Sequence, residues 1–121
     1  MKNFKSIISV LGLVFSLFLI SCASSKNTAQ LTESEFGVEG VCGMCKERIE
    51  NAVFDLKGVQ FAEWSQETHK LKVKYISSKV SLDQIHQALV KAGHDTDKLK
   101  ASDADYNKVH KCCRYREMHD H

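Results

Sequence analysis

The chain has 121 residues, with 17 basic side chains against 15 acidic ones, six histidines, five cysteines and no proline. That length fits one domain with attachments, because domains run about 100–200 residues. The near balance of charge excludes the basic footprint by which proteins bind nucleic acid.

The N-terminus carries Lys2 and Lys5, and the 14 positions from Ile7 to Ile20 hold no charge. A membrane-spanning helix needs about 20 such residues. A basic head, a short apolar run and a small residue predict instead a secretory signal peptide over residues 1–21. Leu19-Ile20-Ser21-Cys22 resembles the lipobox of bacterial lipoproteins. The resemblance implies cleavage before Cys22 and lipid on its sulfur and N-terminus. It places the protein in the bacterial cell envelope, membrane-anchored and facing the periplasm. The alternative is an ordinary secretion signal with a chance cysteine. Acyl chains bury about 0.8 kcal/mol per methylene, so a multiply acylated Cys22 would anchor stably. Cleavage removes two of the 17 basic residues, leaving 15 against 15 acidic ones. An export signal also permits disulfides. Four thiols remain after lipidation: Cys42, Cys45, Cys112 and Cys113.

Residues 22–34 are small and polar, without periodicity, and are expected to form a flexible tether. A domain is expected over 35–100, opening with a strand at Phe36-Gly37-Val38-Glu39. Cys42-Gly43-Met44-Cys45 follows, and a helix is predicted from Lys46 to Leu56. Ile49, Ala52, Val53 and Leu56 fall at i, i+3, i+4 and i+7, which is one apolar helix face. Gly58 stands where a helix stop is expected. Val59 to Trp64 reads as a second strand, Ser65 to His69 as a hairpin turn, and Lys70 to Tyr75 as a third strand. Leu71, Val73 and Tyr75 alternate with lysines and face inward. Ser81-Leu82-Asp83-Gln84 is a capping-box signature. Ile85, Ala88, Leu89 and Ala92 then repeat the spacing of the first helix at an offset of 36 residues, ending at Gly93.

A duplicated strand–helix unit around a hairpin predicts an α+β fold of the ferredoxin-like βαββαβ type. Its last strand is expected at Thr96 to Lys100. Residues 101–121 form a Cys- and His-containing C-terminal extension. A short helix is predicted within Asp103 to Lys111, with Tyr106, Val109 and Cys113 docking on the domain.

A Cys-x-x-Cys at a strand-to-helix junction puts two thiols beside a helix N-terminus. The unpaired N–H groups and the dipole there favour thiolate. Such a pair binds a soft metal or exchanges a disulfide. A thiol–disulfide oxidoreductase of the thioredoxin type sets a cis-proline against its cysteines, and this chain has no proline. A c-type haem needs histidine where Lys46 stands.

The element order, the Cys-x-x-Cys, Ile49-Glu50-Asn51-Ala52, and Leu56-Lys57-Gly58-Val59 with Ala62 together resemble the heavy-metal-associated domain. That family includes copper chaperones, the N-terminal repeats of copper-transporting ATPases and the periplasmic mercuric-ion scavenger. The resemblance implies that Cys42 and Cys45 bind a soft metal through two sulfurs and that the protein is not an enzyme. It implies transfer or scavenging, with a metal-transporting ATPase or efflux protein as partner. Sulfur donors select Cu(I) on chemical grounds, with Zn(II) and Hg(II) as the alternatives.

The chain departs from the family pattern in three places. Glu39-Gly40-Val41-Cys42 stands where Gly-Met-Thr-Cys is usual. Gly93-His94 replaces Gly-Tyr or Gly-Phe, and Cys112-Cys113 lie beyond the basic domain. These departures suggest extra ligands. In a ferredoxin-like fold Cys42, Cys45, His69 and His94 would share one end of the sheet. His94 is then a third ligand or a solvated loop residue, and His69 reads as an ordinary hairpin residue. Adjacent cysteines such as Cys112 and Cys113 seldom bond one another. They would bind metal with His110 or approach the Cys42/Cys45 loop. A structural zinc site closed by Cys42, Cys45, Cys112 and Cys113 is a further reading. Met118, His119 and His121 add donors in what reads as a disordered end.

Overall fold

The structure, a computed structural model, describes residues 29–118. The signal peptide, Cys22 and the final three residues, with His119 and His121, lie outside the described residues. Five longer elements carry the fold: β1 (Leu31–Gly37), α1 (Gly43–Phe54), β2 (Val59–Trp64), β3 (Lys70–Ile76) and α2 (Leu82–Lys91). The extension adds α3 (Asp103–Tyr106), a 3-10 turn (Lys111–Cys113) and α4 (Tyr115–Met118).

The fold is α+β and ferredoxin-like. Three antiparallel strands stand in the order β1-β3-β2. Thr32 pairs with Tyr75, Ser34 with Val73 and Phe36 with Leu71. Across β3, Val73 meets Ala62 and Leu71 meets Trp64. The alternation expected for β3 holds, with Leu71, Val73 and Tyr75 buried. Cross-strand pairs Lys72–Glu35 and Lys74–Glu33 cover the solvent face.

One face of each helix closes the core. Cys45, Ile49 and Val53 are buried on α1, and Ile85, His86 and Leu89 on α2. Each fully buried Leu or Ile contributes about 1.5–3 kcal/mol. The capping box is closed as predicted, with the Ser81 N–H donating to Gln84 Oε1 at 2.8 Å and the Gln84 N–H to Ser81 Oγ at 3.2 Å. The second helix ends on Gly93 at φ +97°. A Cβ there would stand 2.7 Å from Asp105 O and from Val109 Cγ1, so only glycine fits.

Three expectations are corrected. The first strand begins at Leu31, so the last four residues assigned to the tether, 31–34, belong to the sheet. Their polar composition reflects an edge strand with one face in water. The first helix starts at Gly43, ahead of the apolar periodicity, because the Cys-x-x-Cys itself forms the first turn. The fourth strand at Thr96 to Lys100 is reduced to one bridge, Val38 with Thr96. Thr96 folds back instead: its N–H donates to Leu99 O at 2.8 Å, and its Oγ1 accepts the Leu99 N–H at 3.0 Å. That local turn takes up the groups a ladder would have used.

Candidate metal centre

The loop from β1 to α1 rests on Trp64. This ring is fully buried, and its Nε1–H donates to Val38 O at 2.9 Å. Gly40 lies flat on it, since a Cβ there would come within 3.0 Å of Trp64 Cζ2 and 3.1 Å of Cys45 Cβ. Lys46 and Glu50 brace the same corner. Lys46 Nζ donates to Glu50 Oε1 at 2.6 Å and to Trp64 O at 2.7 Å, while the Trp64 N–H donates to Glu50 Oε1 at 2.9 Å. Their role depends on Trp64, 14 residues beyond Glu50.

Cys42 is the N-cap of α1, with extended backbone. Cys45 sits in the first turn, fully buried, with its Sγ 3.9 Å from that of Cys42. Burial pushes the Cys42 thiol up. The backbone N–H groups of Cys45 and Met44 and the thiols of Cys113 and Cys45 more than offset it, so Cys42 lies below its ordinary value. No capping hydrogen bond is closed on the sulfur, so the helix start acts through the direction of its N–H groups.

The C-terminal extension is tied down over this loop. Tyr106, Val109, Cys113 and Tyr115 are buried. The Tyr115 hydroxyl donates to Gly93 O at 2.8 Å and accepts the Asp95 N–H at 2.9 Å. Arg116 forms a fork with Asp95, Nη2 to Oδ1 at 2.6 Å and Nε to Oδ2 at 3.1 Å, and reaches Ala101 O at 2.7 Å. Its guanidinium lies 4.3 Å over the Tyr106 ring. Burial alone would raise the Asp95 carboxyl, but Arg116 and the Ala101 N–H hold it below the usual carboxylate range.

These anchors deliver Cys113 to the Cys42–Cys45 loop. Its Sγ is buried and lies 3.3 Å from Cys42 Sγ. Cys112 is exposed, with its sulfur 3.9 Å from that of Cys113 and 3.7 Å from Met44 Sδ. The sulfurs of Cys42, Cys112 and Cys113 all lie within 4.8 Å of one another, the one group of three metal-ligating side chains so placed among the described residues. Burial and then the Cys45 and Cys42 sulfurs push the Cys113 thiol strongly upward. The two opposite directions favour Cys113 as the S–H donor in this contact and Cys42 as the acceptor.

The histidines fall elsewhere. His94 is fully buried rather than solvated and stands outside that group of three. Its Nδ1 faces Glu39 O at 2.8 Å, and its Nε2 is buried without a hydrogen-bond partner among the described residues. Burial holds its pKa below the ordinary value, so the ring is neutral, with the proton on Nδ1. The Gly-His dipeptide gives no signal of this, because part of the cover is long-range: the Tyr115 ring stacks on it at 5.9 Å. His110 is exposed and lines a groove of about 400 Å³ with Met44, Glu47, Arg48 and Cys113. His69 stacks on Trp64 at 5.6 Å, with Nδ1 3.6 Å from Glu39 Oε2.

Comparison with known proteins gives this geometry a family. A copper chaperone CopZ of Staphylococcus aureus is 35% identical over 66 residues, which cover 54% of this chain and 97% of the chaperone. A solved CopZ metallochaperone superposes with a TM-score of 0.52 at 33% identity, over 54% of this chain and 98% of that one. The Cu(I)-loaded N-terminal domain of a potential copper-translocating P-type ATPase from Bacillus subtilis superposes with a TM-score of 0.53 at 26% identity, over 55% of this chain and 85% of that one. Residues 35–95 match the heavy-metal-associated domain, and the chain belongs to that family.

Proposed function

We propose that this protein captures Cu(I) through Cys42 and Cys45 and passes it on by ligand exchange. The observation that carries the reading is the thiol pair at the start of α1, with a thiolate-prone Cys42 at the N-cap and Cys45 one turn on. Sulfur pairs select soft ions such as Cu(I). Family membership and the copper proteins among its relatives support the same assignment. Handover is a substitution at the metal: an incoming thiolate or thioether adds, then an original sulfur leaves, with no change of oxidation state. The related ATPase domain makes a metal-transporting ATPase the partner class to test.

Lys2, Lys5, the uncharged run and Leu19-Ile20-Ser21-Cys22 support an envelope lipoprotein anchored through Cys22. No helix among the described residues is long and apolar enough to cross a membrane. Fractionation of cells expressing the full chain and a Cys22→Ser variant tests this part. Wild type is expected with the membranes and the variant in the soluble fraction; equal distribution would overturn the anchor.

The metal reading is tested by titrating the reduced full chain with Cu(I) against a competing chelator, beside Cys42→Ser/Cys45→Ser. Equal, weak binding by both would sink it. A structural zinc site is the second reading, favoured by the sulfur contacts that link Cys45, Cys42, Cys113 and Cys112. Chelator-induced unfolding, reversed by zinc, would support it over transfer.

A further inference from the structure

We propose a second metal site in this chain, made by Cys42, Cys112 and Cys113, that shares Cys42 with the Cys42/Cys45 pair. The ion pivots on Cys42 between a buried two-thiolate position and an open three-thiolate one. This inference rests on the reading of the chain as a Cu(I) carrier.

The geometry fits one ion. Three sulfurs at about 2.3 Å from a metal, a usual thiolate bond, stand about 4 Å apart. Cys42 and Cys113 are 3.3 Å apart, Cys112 and Cys113 3.9 Å, and all three sulfurs fall within 4.8 Å of one another. Cys42 stands equally well toward Cys45, at 3.9 Å. It is the one sulfur in both sets, so an ion can change sites without leaving the protein.

The two sites differ in access. Cys45 is fully buried, whereas Cys112 is exposed and touches the half-exposed Met44 through sulfur at 3.7 Å. An incoming ligand would therefore meet the ion at the Cys112 end. Cys113 adds to the ion on Cys42 and Cys45 as the bond to Cys45 breaks. The proton of Cys113 passes through solvent to the released Cys45 thiolate. Cys112 then binds and releases its own proton to water. No electron moves, so the ion stays Cu(I). The extension holds Cys113 in place through the bonds of Tyr115 and Arg116, which do not depend on a metal.

X-ray absorption and chelator competition on the reduced full chain with one equivalent of Cu(I) test this. Wild type, Cys45→Ser, Cys112→Ser/Cys113→Ser and Cys42→Ser are compared. Cys45→Ser should keep tight binding, with three sulfurs around copper. The Cys112→Ser/Cys113→Ser variant should bind through two. Cys42→Ser breaks both sites and should weaken binding by at least the roughly 10–100-fold that loss of a single supporting partner of a metal site costs. Circular dichroism of each variant reports whether it remains folded. Loss of binding in a folded Cys45→Ser variant, with wild type at two sulfurs, would overturn the second site and leave the Cu(I) carrier standing. Failure of wild type to bind at all would overturn the carrier reading itself.

Discussion

The sulfurs of Cys42 and Cys113, 71 residues apart in the chain, lie 3.3 Å from one another, closer than Cys42 lies to its Cys-x-x-Cys partner at 3.9 Å. A disulfide needs its sulfurs at about 2.05 Å, so only a short approach separates the pair from a covalent bond. The neighbouring N–H groups lower the Cys42 thiol while burial raises that of Cys113, which favours Cys42 as the attacking sulfur.

Oxidised glutathione added to the metal-free protein should therefore cross-link Cys42 to Cys113. Cys42 attacks the added disulfide, one glutathione thiolate leaves, and Cys113 displaces the other. Peptide mapping without reductant should find the two segments joined, and Cu(I) loading should slow the reaction. A product joined only between Cys42 and Cys45 would show that the 3.3 Å contact has no chemical consequence.

Arg116 ties the extension to the domain through Asp95. Replacing Arg116 with alanine removes the forked pair and the contact to Ala101 O, and leaves the Asp95 carboxylate partly buried. Hydrogen bonds to charged groups contribute about 1.5–3 kcal/mol, so Arg116→Ala should destabilise the protein by roughly 2–3 kcal/mol. Urea denaturation measures this. Limited proteolysis should then cut first after residue 100. Unchanged stability with an equally protected extension would mean that Tyr115 and the apolar contacts suffice.

Much of the domain was legible in the sequence because its signals are local. The Ser81–Gln84 box, the alternation of Leu71, Val73 and Tyr75 and the stop at Gly93 each depend on residues a few positions apart. The Cys42/Cys45 pair was legible for the same reason. Other parts depend on long-range partners. The docking of Tyr106, Val109 and Cys113 was legible from their apolar spacing, and the approach to the Cys42/Cys45 loop was one of two alternatives; the anchor that decides between them, Tyr115 on Gly93 22 residues back, was not. Tyr115 also stacks on His94 and contributes to its cover. Thr96 to Lys100 failed as a strand for a local reason, because the Thr96 hydroxyl offers the backbone a competing turn.

Gly93 joins the domain to the extension, and its φ of +97° disfavours any side chain. A Cβ would also meet Asp105 O and Val109 Cγ1 at 2.7 Å, and the first of these is backbone that cannot swing aside. Strained backbone of this kind costs about 1–3 kcal/mol before the clash is counted. Gly93→Ala should lower the thermal midpoint and loosen α3. Hydrogen exchange should quicken at the Tyr106 and Asn107 amides, which donate to Ser102 O and Asp103 O. Unaltered exchange there would indicate that the extension moves with the substituted residue at little cost.

Two buried histidines should make the fold sensitive to acid. Burial depresses the pKa of both His86 and His94. For His86, nearby Lys98 adds to the effect, with Asp83 and Asp97 opposing it. For His94, the Glu39 carbonyl and Asp95 oppose burial, while Arg48 reinforces it. A histidine depressed in the folded state binds its proton more readily when unfolded. Its contribution is thus fully present above the unfolded value of about 6.5 and is lost as pH falls through the folded value. Each such group adds a slope of at most about 1.4 kcal/mol per pH unit. Metal-free protein should therefore lose thermal stability steadily from pH 7 to pH 5. His86→Phe keeps an aromatic ring against Phe36, now at 4.1 Å, but removes one titrating group. The variant also gives up the contact of Nδ1 with Thr96 Oγ1 at 2.7 Å, which lowers stability at every pH. Its melting temperature should nevertheless fall less steeply with acid than that of wild type. Equal slopes for the two proteins would show that His86 takes no part in the acid response.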